Sequence, residues 1–144
     1  MNLMKVAHVP PVVVEVSASV ADAVDAMVSN KVGAVAVVEN GVLRGIISER
    51  DVVKKVVHAG RAAAQTRVAD VMTTEVESIV EDTPASEALQ IMIDGYFRHL
   101  PIVDGKGKVL GILSIRNFLQ IRVEELEDSI NSITSYYAAD GAGG

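Results

Sequence analysis

Apolar residues fall along this chain in two alternating rhythms. Val12-Val13-Val14, Ala34–Val38 and Val42–Ser48 are short apolar runs of strand length. Between the first two, Val20, Ala23, Val24, Met27 and Val28 recur at helical spacing. Ser19 and Asp22 ahead of them form a capping-box pair, in which each side chain satisfies a free backbone N–H of the first turn. Glu39-Asn40-Gly41 reads as a turn between the later strands, and Glu49–Val57 as a second helix. The rhythm then restarts. A strand is expected near Val76–Val80 and a helix entered at Thr83-Pro84 that continues through Leu89–Ile93, proline being favoured in a first helical position. Strands at Leu100–Val103 and Val109–Ser114 follow, and then a longer helix. Arg67–Met72 reads as a short helical lead-in to this second series.

The restart is also a repeat of the residues themselves. Gly45-Ile46-Ile47-Ser48-Glu49-Arg50-Asp51-Val52-Val53 matches Gly111-Ile112-Leu113-Ser114-Ile115-Arg116-Asn117-Phe118-Leu119 at an offset of 66, with four of nine positions identical. Upstream the offset is 65, one extra residue in the turn at Asp104–Gly107 accounting for the change. The expected fold is α/β (α+β): two β-α-β-β-α units packed with pseudo-twofold symmetry, because about 50 residues bury too little surface alone. Residues 3–60 form the first unit, 61–67 the linker, 68–135 the second unit with its extended C-terminal helix, and 136–144 a flexible tail. Such packing places two equivalent clefts between the units, each near a helix led by Ser48 or Ser114.

Composition narrows the function. The chain has 144 residues, 49% hydrophobic and 22% charged, as in soluble globular proteins. Cysteine is absent, which excludes disulfides, thiolate zinc sites, iron–sulfur clusters and cysteine nucleophiles. A net charge of −6 argues against a broad basic face for nucleic acid. No apolar run approaches the roughly 18–20 residues that cross a bilayer. Met1–Pro11 lacks the pattern of a signal peptide, so the expected location is cytoplasmic, with no membrane partner. Twenty of the 25 valines lie in residues 1–72, whereas the five aromatics, Tyr96, Phe97, Phe118, Tyr136 and Tyr137, all come later. Those aromatics are expected at ligand or partner contacts.

Few residues carry chemistry. Ser48 and Asp51 form a second capping-box pair, which needs no ligand. His8 and His58 lack partners at metal-ligand spacing, so solvated or packing roles are expected and no metal site. Gly105–Gly111 is a hairpin turn between strands rather than a dinucleotide fingerprint. There is no His-Glu-x-x-His, P-loop or Gly-x-Ser-x-Gly, and neither Ser48 nor Ser114 has an identifiable base; the chain is not expected to be an enzyme. On the last helix, Leu119, Val123, Leu126, Ile130, Ile133 and Tyr137 form a 4-3-4-3-4 stripe, either packed on its own domain or forming a dimer or partner seam.

The repeat, its two motif copies, and Arg98-His99-Leu100-Pro101-Ile102-Val103-Asp104 resemble a tandem pair of cystathionine-β-synthase (CBS) domains, the Bateman module, over roughly residues 3–135. Val68-Ala69-Asp70-Val71-Met72-Thr73 also resembles the usual lead-in to a second copy. The resemblance implies a stand-alone regulatory, energy-sensing module. It would bind an adenosine-containing ligand (AMP, ADP or ATP, with NAD(H) or S-adenosylmethionine as further ligands) in the interdomain cleft. It would signal through dimer or partner geometry. No cofactor is required; the adenine nucleotide is the regulatory ligand. By the same resemblance Asp51 and Asn117 hold ribose hydroxyls, and Ser48 and Ser114 contact ribose or phosphate. Arg98 and His99 approach phosphates, and Val13 and Ser78 meet the adenine. Arg50, Arg116, Leu100 and Pro101, inside the same motifs, complete the expected ligand-binding set. Asn117 stands where the pattern has an acid, which implies a weaker or altered second site. Homodimers are common in such modules. Any output of the module is expected to pass to a separate downstream protein; the alternative is a dimeric protein-interaction scaffold with vestigial nucleotide sites.

Overall fold

Valine and isoleucine runs pair into two hairpins that carry the molecule. In the computed structural model, which describes residues 2–143 and side chains through Tyr137, the first sheet has the order β1-β2-β3. It comprises Val13–Glu15, Ala34–Glu39 and Val42–Ser48; β1 runs parallel to β2, and β2 antiparallel to β3. The β2–β3 turn uses Asn40 and Gly41, both at positive φ, the geometry that lets a two-residue turn follow strand twist. Helix α2 (Val20–Asn30) crosses between β1 and β2. The Ser19–Asp22 capping box is formed as the sequence predicts. After β3 come α3 (Glu49–Val52), which runs into a π-helical turn at Val53–Val57, and α4 (Val68–Val71).

The second unit repeats this order with α5 (Ala85–Gly95), β4 (His99–Val103), β5 (Val109–Ser114) and α6 (Ile115–Gly143). Its hairpin bulges between Ile102 and Val103, at the repeat equivalent of the bulge between Val37 and Val38. The strand expected at Val76–Val80 reduces to one bridge, Ile79 to Ile102. Proline explains the shortfall. In the first unit the Ala36 N–H donates to the Val12 carbonyl at 3.1 Å. The equivalent of Ala36 is Pro101, which has no N–H to give, so the ladder stops. Pro84 caps α5 from outside rather than occupying its first turn. Helix α6 runs as far as Gly143, into the segment 136–144; Gly144 lies outside the described residues.

Each unit has its own core: Val20, Met27, Val35, Ile47 and Val56 among others in the first, Met92, Leu100, Leu113 and Phe118 in the second. Phe118, expected at a contact surface, is thus fully buried inside its unit. The lead-in segments cross over. α1 (Leu3–Val6) packs its buried Leu3 into the second core, while Val68 and Val71 of α4 lie in the first. A third cluster, Ala36, Val38, Val109 and Ile112, joins the two sheets, and the hairpin turns bond through Leu43 N–H to the Gly107 carbonyl at 3.0 Å.

Candidate functional site

The crossed lead-ins build the walls of two clefts. Thr73, after α4, bridges to Ile46, and His8, after α1, bridges to Ile112. His8 and Thr73 are therefore equivalent under the pseudo-twofold, 65 residues apart like the upstream repeat. A second equivalent pair closes the entrances: the Glu49 N–H donates to the Gly33 carbonyl at 2.9 Å, and the Ile115 N–H to the Arg98 carbonyl at 2.8 Å. Each cleft thus joins the motif helix of one unit to the strand entrances of both.

The smaller cleft, about 330 Å³, is lined by Ser48, Arg50, Asp51, Thr73, Glu75 and Val76 with Tyr96–His99. Asp51 is buried and its carboxylate is already engaged. Oδ2 accepts the Ser48 N–H at 3.0 Å and the Ser48 hydroxyl at 3.1 Å. The Thr73 hydroxyl donates to Oδ1 at 3.1 Å, and Lys55 Nζ lies 3.1 Å from the same oxygen. Lys55 also donates to the Val71 carbonyl, so Asp51 ties α3 to the incoming α4. The local capping role read from Ser-x-x-Asp is real, and the structure adds a tertiary one.

The larger cleft, about 980 Å³, falls in the size range of small-molecule sites. Its walls include Ser114, Arg116, Asn117 and Gln120 of α6, Lys31 and Gly33 before β2, and His8, Val12, Glu49, Arg98 and His99. Among the described residues no side-chain bond ties Ser114 to Asn117 as Ser48 is tied to Asp51. Charge separates the clefts further. Among the described residues, Lys31, Arg98 and Arg116 face the larger one against a single carboxylate, Glu49. The smaller has Arg50 and Arg98 against Glu49, Asp51 and Glu75. An anion is favoured in the larger. His99 borders both, and burial holds its imidazole below the usual value of 6.5; Glu49 opposes that shift and Arg98 reinforces it.

The structure brings Ser48, Arg50 and Asp51 into one cleft, Ser114, Arg116 and Asn117 into the other, and Arg98 and His99 into both. Val13 and Ser78 border neither cleft, whereas Val12 and Val76 do; Val12 and Val13 are neighbours in an extended segment and so face opposite ways. Leu100 belongs to the second core, and Pro101 is buried in β4, where its carbonyl accepts the Ile79 N–H. Sequence reasoning missed Lys31, Thr73, Glu49 and above all His8. Extending the repeat offset through the lead-ins finds His8 opposite Thr73. Among the described residues no group of three metal-type ligands forms, and no helix is long and apolar enough to cross a membrane.

A duplicated β-α-β-β-α unit, stitched by exchanged lead-ins and opening two interunit clefts, defines the class: a tandem α+β repeat module. The chain belongs to the CBS domain family, whose profile matches residues 4–58 and 68–124, and it is a tandem CBS pair. Tandem CBS pairs are regulatory modules. The chain is 35% identical over 123 residues to the mitochondrial CBS domain-containing protein CBSX3 of Arabidopsis thaliana, covering 82% of this chain and 59% of that one. It thus spans under two thirds of that relative's length. A CBS-domain containing protein of Agrobacterium tumefaciens superposes with a TM-score of 0.73 at 30% identity, covering 85% of this chain and 99% of that one. A CBS domain protein of Pyrobaculum aerophilum, complexed with AMP, shares the fold with a TM-score of 0.74 at 20% identity, covering 81% and 89%.

Proposed function

We propose that this CBS pair is a regulatory, non-catalytic module that binds an adenosine-containing ligand between its units and signals by changing dimer or partner geometry. The observation that carries the reading is the larger cleft: about 980 Å³, with three cations against one carboxylate in a protein of net charge −6. Arg98 and Arg116 offer forked donors for phosphate oxygens. The free N–H groups at the start of α6 add a partial positive charge beside Ser114. Asn117 has its amide available for ribose hydroxyls, and Val12 and Val52 supply an apolar wall for a base. The AMP complex of the Pyrobaculum aerophilum protein supports a nucleotide as the ligand. Because Asp51 is held by Ser48, Thr73 and Lys55, the larger cleft rather than the Asp51 cleft is the primary site.

The test is a thermal-shift series with AMP, ADP, ATP, NADH and S-adenosylmethionine. A true ligand at about 100 times its dissociation constant stabilises the fold by about 2.7 kcal/mol. Asn117→Ala or Arg116→Ala reduces that shift more than Asp51→Ala does, each compared with its own ligand-free baseline. If no compound moves the midpoint, the nucleotide reading fails and the scaffold reading, with vestigial clefts, takes its place.

A further inference from the structure

Helix α6 leaves the body of the molecule. Phe118 anchors its first turns in the second core, but every residue from Leu126 to Tyr137 is exposed. That projecting segment is about 18 Å long at 1.5 Å per residue. The six stripe residues, Leu119, Val123, Leu126, Ile130, Ile133 and Tyr137, are between 44% and 68% exposed, so the stripe does not pack on its own domain. Every residue from Glu124 to Ser135 outside the stripe is polar. A seam this narrow, with period 3.5, is the signature of a coiled coil rather than of a helix packed on a globular core. Serine, threonine and asparagine fill much of the polar face and are indifferent helix formers, so the lone segment lacks the propensity to hold itself in water.

We infer that the exposed seam of α6 pairs with the same helix of a second copy in a parallel, two-stranded coiled coil. Val123 and Ile130 occupy a positions and Leu119 and Leu126 d positions, the β-branched and γ-branched arrangement that selects parallel dimers; Ile133 at d and Tyr137 at a depart from it. Charge fixes the direction. In the parallel arrangement Arg122, at g, meets Glu127, at e, of the other copy, and symmetry makes this pair twice. An antiparallel arrangement that stacks Leu126 on Ile130 instead sets the two Glu127 carboxylates against each other. Within one chain Arg122 holds Glu125 at 3.3 Å, but both side chains are about half exposed and that pair is easily exchanged.

The experiment uses the full chain and does not depend on ligand. Light scattering after size exclusion gives twice the 15.2 kDa chain mass, and Ile130→Glu gives the single mass with a far-ultraviolet helix signal that falls by no more than the projecting segment of α6 contributes. Since the chain has no cysteine, Ile130→Cys reports direction without ambiguity. In the parallel dimer this a position faces itself, and mild oxidation cross-links the pair. Glu127→Arg raises the dimer dissociation constant by about tenfold, and Arg122→Glu added to it restores most of the loss. A monomer or trimer in the unaltered chain, or a dimer in which Ile130→Cys does not cross-link, overturns the proposal.

Discussion

At Gly45 an added methyl group would lie 2.7 Å from the Thr73 carbonyl oxygen and 2.8 Å from the Met72 sulfur. The glycine opening Gly-x-x-Ser-x-x-Asp is needed because the crossed lead-in passes over β3 at backbone distance. Gly45→Ala therefore destabilises the fold by about 1–3 kcal/mol in urea unfolding. Gly111→Ala costs less, because its nearest neighbour, at 3.0 Å, is a methyl of Val9 that can move. His99 supplies the pH dependence. Burial lowers its folded-state value below 6.5, so above that value the imidazole is neutral in both states and contributes no slope. As pH falls below 6.5 the unfolded chain takes the proton first, and stability drops until the folded form is protonated too. Unfolding midpoints should fall along that acid limb, and His99→Gln should flatten it. The Ser48–Asp51 cap was legible from a three-residue spacing. The bonds to Asp51 from Thr73 were not, because that partner lies 22 residues away and is delivered by the chain crossing.

The elements most legible in the sequence were those whose apolar pattern and turn chemistry agree. Val20–Asn30 carried both a helical period and a capping box, and Val42–Ser48 stood between a turn and a cap; both formed with the expected ends or nearly so. Legibility failed where a single atom decided. The missing N–H of Pro101 removed a strand whose own residues looked adequate, and Phe118 went to the core because the first turns of α6 lie against β5 and α1. The destination of α1 was also hidden. Four residues carry no long-range signal, and only the fold reveals that Leu3 completes the opposite unit's core. Leu3→Ala is expected to cost about 2–5 kcal/mol of global stability, read as a shift in the denaturant midpoint. The loss should appear in one cooperative transition, because α1 and α4 exchange units. Two separate transitions would mean that the crossing does not couple them.

Across the whole molecule, duplication and divergence act together. The repeat predicted two equivalent clefts, and the exchange of lead-ins forms both. Divergence then made them unequal: His8 stands in one where Thr73 stands in the other, and Gly33 and Ala34 occupy the positions of Arg98 and His99. The valine-rich first unit and aromatic-bearing second unit reflect the same drift, with Tyr96 and Phe97 beside the smaller cleft and Phe118 filling a core. The balance of charge around each cleft could not be read along the chain, since Lys31, Arg98 and Arg116 meet only in the folded state. The central claim is that this meeting point holds an adenosine-containing ligand. Isothermal titration of the purified chain with AMP, ADP, ATP, NADH and S-adenosylmethionine tests it most directly. The account predicts saturable binding of at least one of them, weakened by Arg116→Ala and little changed by Arg50→Ala in the other cleft. No heat of binding from any of the five, or binding that Arg50→Ala abolishes and Arg116→Ala leaves intact, would contradict it.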